Sequence, residues 1–364
     1  MNKRGILRKC ITALAPTVIC IIMGLLAGYL ILLISNPSQA SNGFRAIISG
    51  GFIGGARGIG NVFYYATPLL MVGLGVAVGF KTGVFNIGGP GQFILGGYFA
   101  MLTAHMLDIP RPFSWIIPIL VGTVAAALWA MIAGLLNVYF KVNIVISTIL
   151  LNYIGMYLVN LLIRNTIYDP GKNQALLVPE KAQLPKMGLD RLFPDSSINS
   201  GIVIAVAIAV IIYILIYKTT KGYEMVAGGL NPLASVLQGM PIKKNAVFSM
   251  TLSGALVGIG GALMYLSDSG TSIQVVDTLA SEGFDGISVA LLASNHPLGV
   301  ILTALFVASL TVGGFYMQTY RFVPEIIDVI IAVIIYFSAF SLLIIQNYER
   351  LRIWFLNRKG GGGR

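Results

Sequence analysis

Charge is what this chain has least of. Asp, Glu, Lys and Arg make up 10% of its 364 residues, where a soluble domain carries roughly 25%. That shortage excludes an ordinary water-exposed surface. Only two cysteines are present. Cys10 and Cys20 fall on one expected helix, about 15 Å apart at the usual rise, too far to bond. The two histidines, His105 and His296, are isolated. Each reads as a loop or helix-end residue, and no His/Cys cluster points to a metal. Gly75, Gly79, Lys81 and Thr82 have the wrong spacing for a phosphate loop and follow no strand, so no ATP site is expected there. No kinase, hydrolase or nucleotide-binding constellation is present. No apolar run has an acidic or basic residue near its centre. A proton-coupled carrier usually needs one, so energy for any active transport is expected from another chain.

Apolar residues are there instead, at 56% of the chain, which predicts an all-α polytopic membrane protein. The net charge of +11 does not point to nucleic acid, because the basic residues lie at the ends of apolar runs, where they set orientation. Lys3, Arg4, Arg8 and Lys9 precede the run Ile11–Ile34. That run is longer than the roughly 7–15 residues of a signal core, so a retained first span is expected despite the cleavage-like Ser38-Gln39-Ala40. Further spans are expected at Val62–Phe80, Phe93–Leu107, Trp115–Val138, Ile144–Ile163, Ile202–Tyr217, Ala246–Leu266, Leu298–Tyr316 and Pro324–Ile345. Counting Gly283–Ser294 as a crossing gives about ten, with both termini inside. Lys81, Lys141, Lys218, Lys221, Lys243 and Lys244 then fall inside, against Glu224 alone in the same loops. Arg164–Ser200, with four prolines, is expected to be an ordered outer loop with little regular structure, and Ser35–Asn61 can hold a short interfacial helix. Gly75 with Gly79, and Gly254 with Gly258, have the small-xxx-small spacing that lets helices approach closely. Residues 1–359 read as one transmembrane domain, and 360–364 as a glycine-rich tail left by expression.

Two stretches interrupt this pattern. Phe85-Asn86-Ile87-Gly88-Gly89-Pro90-Gly91-Gln92 cannot sit comfortably inside a helix, and Gly283–Ala293 is too short to cross alone before the break at Asn295-His296-Pro297. Non-helical backbone at membrane depth is tolerated where protein or a watery path satisfies it, and transporters place solutes at such breaks. The alternative for the first stretch is a plain cytoplasmic turn with Asn86 or Gln92 capping the next helix. Asn152 lies within a span, where an asparagine is more often a helix–helix hydrogen bond than a ligand contact.

Leu151-Asn152-Tyr153-Ile154, Gly228-Gly229-Leu230-Asn231-Pro232-Leu233-Ala234-Ser235 through Gly239-Met240, and Phe284-Asp285-Gly286-Ile287-Ser288 complete a set. With Phe85–Gln92 they resemble, in order, the permease subunits of bacterial ABC importers. Within these the chain is similar to the branched-chain amino acid/ribose/nucleoside group, above all its nucleoside permeases, over about Thr67 to Ser341. The resemblance implies a multi-pass subunit of the bacterial cell membrane with no catalysis and no cofactor of its own. It implies a second related permease, an ATPase with two fused nucleotide-binding halves that uses the ATP, and a nucleoside-binding surface lipoprotein. It makes Asn231–Gly239 the coupling helix, with Gly228, Asn231, Pro232, Ala234, Ser235 and Gly239 as the ATPase-coupling residues. Asn231 as N-cap, Pro232 at N1 and Gly239 as stop suit a short helix, and small Ala234 and Ser235 would let it seat in a groove. The expected solute path comprises Phe85, Asn86, Gly88, Gln92, Phe93, Asn152, Phe284, Asp285 and Ser288. Amides there offer donors and acceptors, and Phe85, Phe93 and Phe284 can stack on a base. Other readings are a sugar or branched-chain amino acid permease, or a stand-alone secondary carrier.

Overall fold

The computed structural model describes residues 22–339. The basic head, Cys10, Cys20, the start of the first expected span, the end of the last and the 360–364 tail lie outside the described residues. The chain divides into two units, one containing 51–312 and the other the segments before 51 and after 312.

In the smaller unit, α1 (Ile22–Ser35) and α2 (Ala40–Ile53) meet the end of α13 (Pro297–Met317) and α14 (Pro324–Ala339). Small residues set their spacing. A Cβ at Gly28 would stand 2.8 Å from Ile330, and one at Gly313 2.6 Å from the Ile47 carbonyl. Helix α2 kinks at Gly50, whose φ of 13° no helix has. It supplies the short helix expected after the first span.

In the larger unit, α3 (Gly55–Lys81), α4 (Gly89–Met106) and α11 (Ile242–Tyr265) form the centre. Around them stand α5 (Phe113–Phe140), α6 (Ile144–Asn165), α8 (Gly201–Lys218) and the short α12 (Glu282–Leu292). Asn143 starts α6 by accepting from the Val145 and Ile146 amides, as an N-cap should. Lys141, with φ 56°, ends α5.

Hydropathy and burial run in opposite directions. Helix α8 is the most apolar span, with a hydropathy of 2.6, yet only 33% of its span is buried; α3 has 1.7 and 89%. The greasiest helices therefore face outward, and at the centre the closest helix contacts are made by small residues. Gly254 lies on Ala130, Gly258 on Ala126, and Gly96 on the Gly258 backbone. Lipid tails are as apolar as leucine, so close van der Waals contact must hold such helices together. The two small-xxx-small pairs read from the sequence behave accordingly, with Gly75 against the Ser253 carbonyl and Val257.

Six described helices are long and apolar enough to cross a membrane, against the about ten expected. The difference has physical causes. Helix α4 opens with Gly89-Pro90-Gly91-Gln92, which lowers its apolar character, α12 has only 11 residues, and the far ends of α1 and α14 lie outside the described residues.

Loop 166–200 is ordered, as expected, and pairs with the loop after α11. Strands β1 (Tyr168–Asp169) and β2 (Gln174–Ala175) form a hairpin. The Ala175 amide donates to Ile273, and the Leu184 amide to Leu266. Lys186 pairs with Asp268 at 2.8 Å, and Lys181 with Asp108. The Lys181 ammonium holds the exposed Asp108 carboxyl below the ordinary carboxylate range.

A Cβ at Gly96 would stand 2.5 Å from the Gly258 backbone, whereas one at Gly155 makes contacts of 3.4 Å or more. Gly96→Ala should therefore cost about 1–3 kcal/mol as overpacking. Gly155→Ala should be neutral or stabilising, since alanine is the better helix former by about 1 kcal/mol. Thermal unfolding in detergent should rank them in that order.

Candidate functional site

The break between α3 and α4 is held by an amide pair. Asn86 and Gln92 are 1% and 2% exposed. Asn86 Nδ2 donates to Gln92 Oε1 at 2.8 Å and to Ser253 Oγ at 2.9 Å. Asn86 Oδ1 accepts from Gln92 Nε2 at 3.0 Å and from the Gly88 amide at 2.8 Å. Ser253 in turn donates to the Gly75 carbonyl at 2.7 Å. Asn152, on α6, supports the same turn from the other side. Its Nδ2 donates to the Ile87 carbonyl and its Oδ1 accepts from the Gly91 amide, both at 2.9 Å. Two backbone donors at the α4 N-terminus are thus answered by side chains, the Gly88 amide by Asn86 of the turn itself and the Gly91 amide by Asn152 of α6.

The arrangement separates the expected path residues. Asn86, Gly88, Gln92, Phe93 and Asn152 are buried in the packing, and the three amides spend their bonds on one another, on Ser253 and on the backbone. Phe93 meets Tyr265 edge-on at 5.9 Å. Phe85 is half-buried, its ring 4.7 Å from that of Phe80. Asp285 and Ser288 are half-buried and Phe284 is 40% exposed. Phe284, Ser288 and Leu291 fall on one side of α12, which the larger unit leaves uncovered.

Helix α12 meets α4 end to end. Gly283 lies against Gly89 and Pro90 so closely that a Cβ on either glycine would overlap the other's backbone. Gly286 lies on Val72, and Val289 near Gly73. Two broken helices therefore begin at the same place. Glu282 opens the second of them. Sequence reasoning ended the outer polar segment at Glu282; the structure makes it the first residue of α12, next to the Gly283 that meets Gly89 and Pro90. Ser253 was also missed. Asn245, Ser249 and Ser253 recur every four residues on an otherwise apolar helix, and that stripe was the available signal.

The expected coupling segment has the expected chemistry. Helix α9 (Thr220–Leu230) leads to α10 (Pro232–Leu237). Asn231 Oδ1 accepts from the Ala234 amide at 3.1 Å, Pro232 stands at N1, and Gly239, with φ 78°, stops the helix. Ser235 turns inward, 3% exposed, and Ala234 is half-buried. The outward face carries Leu233 and Leu237, 81% and 88% exposed, together with Leu230 and Val236. Gly228 is buried. Its neighbour Gly229 packs directly on the backbone of Thr82 and Gly83, which starts the broken stretch. A brace joins α9 to α11: Asn245 accepts from Lys221 Nζ at 2.5 Å and donates to Glu224 at 3.3 Å. His296, in the turn after α12, lies 5.3 Å from the Tyr217 ring. Burial and the nearby Lys81 charge hold its imidazole below the ordinary range.

A Cβ at Gly88 would stand 2.5 Å from Gln92 Nε2 and 2.9 Å from Asn86 Oδ1, so Gly88→Leu should break the amide pair and reduce the amount of folded protein. Asn86→Ala leaves Gln92 and Ser253 short of partners in a buried place, at about 1–3 kcal/mol. It should lower the thermal midpoint while changing uptake per assembled complex by less than about twofold. Parallel melting and uptake measurements check both.

Among known proteins, the chain is similar to the guanosine ABC transporter permease protein NupP of Bacillus subtilis, 37% identical over 334 residues that cover 92% of this chain and 95% of that protein. It is similar to the nucleoside ABC transporter permease protein NupB of Lactococcus lactis, 33% identical over 90% of each chain. A second guanosine permease protein of Bacillus subtilis, NupQ, is 26% identical over 72% of this chain and 84% of its own length. No solved structure matches. Residues 58–339 match the family described as branched-chain amino acid transport system / permease component. That span contains the amide-locked break, the short α12 and the capped α10, and the chain belongs to this family of transport permeases.

Proposed function

We propose that this chain is one of two related membrane subunits of an ATP-driven nucleoside importer of the bacterial cell membrane. The observation that carries the reading is near full-length similarity to guanosine and nucleoside permease proteins. Similarity to two different guanosine permease proteins of one organism supports a second permease as partner. The uncovered side of α12, with Phe284 and Ser288, is where the two would face each other and leave a path. Buried Asn86, Gly88, Gln92, Phe93 and Asn152 hold that path's wall in shape. A surface lipoprotein delivers the solute, and a separate ATPase with two nucleotide-binding halves supplies the energy.

Coupling falls to α10. Leu230, Leu233, Val236 and Leu237 form an apolar surface at a loop end outside the bundle, where a groove of the ATPase would cover them. An open cleft of about 660 Å³ adjoins it, lined in part by Tyr217, Tyr223, Glu224 and Gln238. The inner placement follows from Lys81, Lys218, Lys221, Lys243 and Lys244 at this end, and it puts both termini inside.

The deciding experiment is nucleoside uptake by cells carrying this permease with its co-encoded partners. Uptake should require the ATPase gene, which a stand-alone carrier would not need, and excess glucose or leucine should not compete. Ala234→Glu and Leu237→Glu should leave assembly intact and abolish uptake while ATP hydrolysis continues; normal uptake would remove α10 from the coupling role. With Cys10 and Cys20 replaced, a cysteine at Asn173 should react with an impermeant thiol reagent from outside, and one at Thr219 only from inside. Reversed labelling would overturn the orientation.

A further inference from the structure

A small hollow of about 230 Å³ lies where α3 and α8 stop and α9 begins, lined by Lys81, Ile216, Tyr217, Thr219, Tyr223 and Val226. Lys81 is half-buried, and its Nζ stands 5.9 Å from the centre of the Tyr217 ring, within reach of a cation–π contact. Among the described residues no carboxylate pairs with Lys81, and the Tyr217 and Tyr223 hydroxyls have no hydrogen-bond partner. The same two tyrosines line the wider cleft beside α10, together with Lys218. The one carboxylate in that wider lining, Glu224, stands 3.7 Å from Lys221 and accepts from Asn245. Helices α3 and α8 bring negative dipole ends to the hollow and α9 a positive one, so side-chain charge decides the sign. The lining then offers an ammonium and two phenol donors, and no acid.

An apolar row leads to it. Val203, Ala207, Val210 and Ile214 are exposed and recur every three or four residues along α8, and Tyr217 ends the row at the hollow. Helix α8 is also the most apolar span, with only 33% of it buried. A free phosphate has no use for such a row. A phospholipid has an acyl chain to lay on it and a phosphate at the end of that chain. The hollow is smaller than the roughly 300–1,000 Å³ of pockets that bury a whole small-molecule ligand, which suits a headgroup better than a nucleoside. The inner leaflet is moreover the anionic one.

We propose that this hollow binds the phosphate of an anionic phospholipid of the inner leaflet, held by Lys81 and the Tyr217 and Tyr223 hydroxyls, with an acyl chain along α8. The lipid ties the end of α3 to α9, and so joins the two stretches that meet at Gly83 and Gly229. The inference rests on the inner placement of this end and not on the identity of the solute.

The test uses the assembled importer, washed in detergent, with phosphatidylglycerol and phosphatidylcholine of equal chain length as probes. Native mass spectrometry counts the lipid retained, and thermal unfolding reads what it stabilises. Wild type should retain phosphatidylglycerol about tenfold over phosphatidylcholine, the weight of a charge-assisted bond, and only phosphatidylglycerol should raise the midpoint. Lys81→Gln should lose about tenfold of that retention, and Lys81→Arg should keep most of it. Lys243→Gln removes an exposed lysine of the same end that does not line the hollow, and should change retention less than about twofold. Should Lys81→Gln not assemble, Tyr217→Phe takes its place, with an expected loss of about threefold for one hydrogen bond. Equal falls for Lys81→Gln and Lys243→Gln would reduce the site to diffuse attraction and overturn it. Equal retention of the two lipids by wild type overturns it without any variant. Retention of neither means that the second permease covers the row on α8, and overturns it as well. If excess glycerol 3-phosphate displaces the lipid and raises the midpoint by itself, the hollow takes a free phosphate and the lipid assignment falls. Nucleoside uptake is not among these readouts, so a failure of the nucleoside reading leaves them standing.

Discussion

The exchange of hydrogen bonds between Asn86 and Gln92 lets a chain that must leave its helix do so inside an apolar bundle. Backbone that turns without a ladder leaves donors and acceptors open, and lipid offers them nothing. Here Asn86 and, from α6, Asn152 answer the turn's backbone, and Ser253 from α11 holds Asn86 in place. The position of α4 is thereby tied to both neighbours at its first turn. The close approach of α4 to α12 at Gly89 and Gly283 follows from that fixed starting point.

The remaining cohesion comes from smallness. A soluble protein keeps large apolar side chains off its surface; this bundle leaves many isoleucines and leucines facing outward and sets glycine and alanine where its helices come closest. Polar anchors and close backbone contact then work together. Buried serines and asparagines set the register along α11, and the glycines let the helices come close enough for those short side chains to reach.

Much of the fold was legible because hydropathy in a membrane protein is nearly a one-dimensional signal. The larger unit's long helices largely follow the runs read from the sequence, and the cap of α10 is visible as Asn231-Pro232. The broken stretch was legible in place, but its bonding was not. The sequence marks Asn86 and Gln92 as polar residues at a break, and it cannot show that they face each other six residues apart. Asn152 follows the commoner of its two readings, a bond between helices. The meeting of α12 with α4 was illegible because it rests on the contact of Gly283 with Gly89 and Pro90, and a contact between distant glycines leaves no hydropathic trace. In α10 the small residues suggested the contact surface, whereas helical spacing turns Ser235 inward and leaves the leucines outside.

The contact of Gly229 with Thr82 and Gly83 has no side chain in it. Two stretches of main chain, one leading into α10 and one leading into the broken crossing, touch directly. A linkage built from side chains has slack, because rotamers can absorb a small displacement before anything behind them moves. Main chain against main chain has very little. A push of an ångström on the loop that carries α10 would reach the break almost undiminished, and the linkage would be indifferent to which solute is in transit. The drive of such a machine can stay constant while its path changes chemistry.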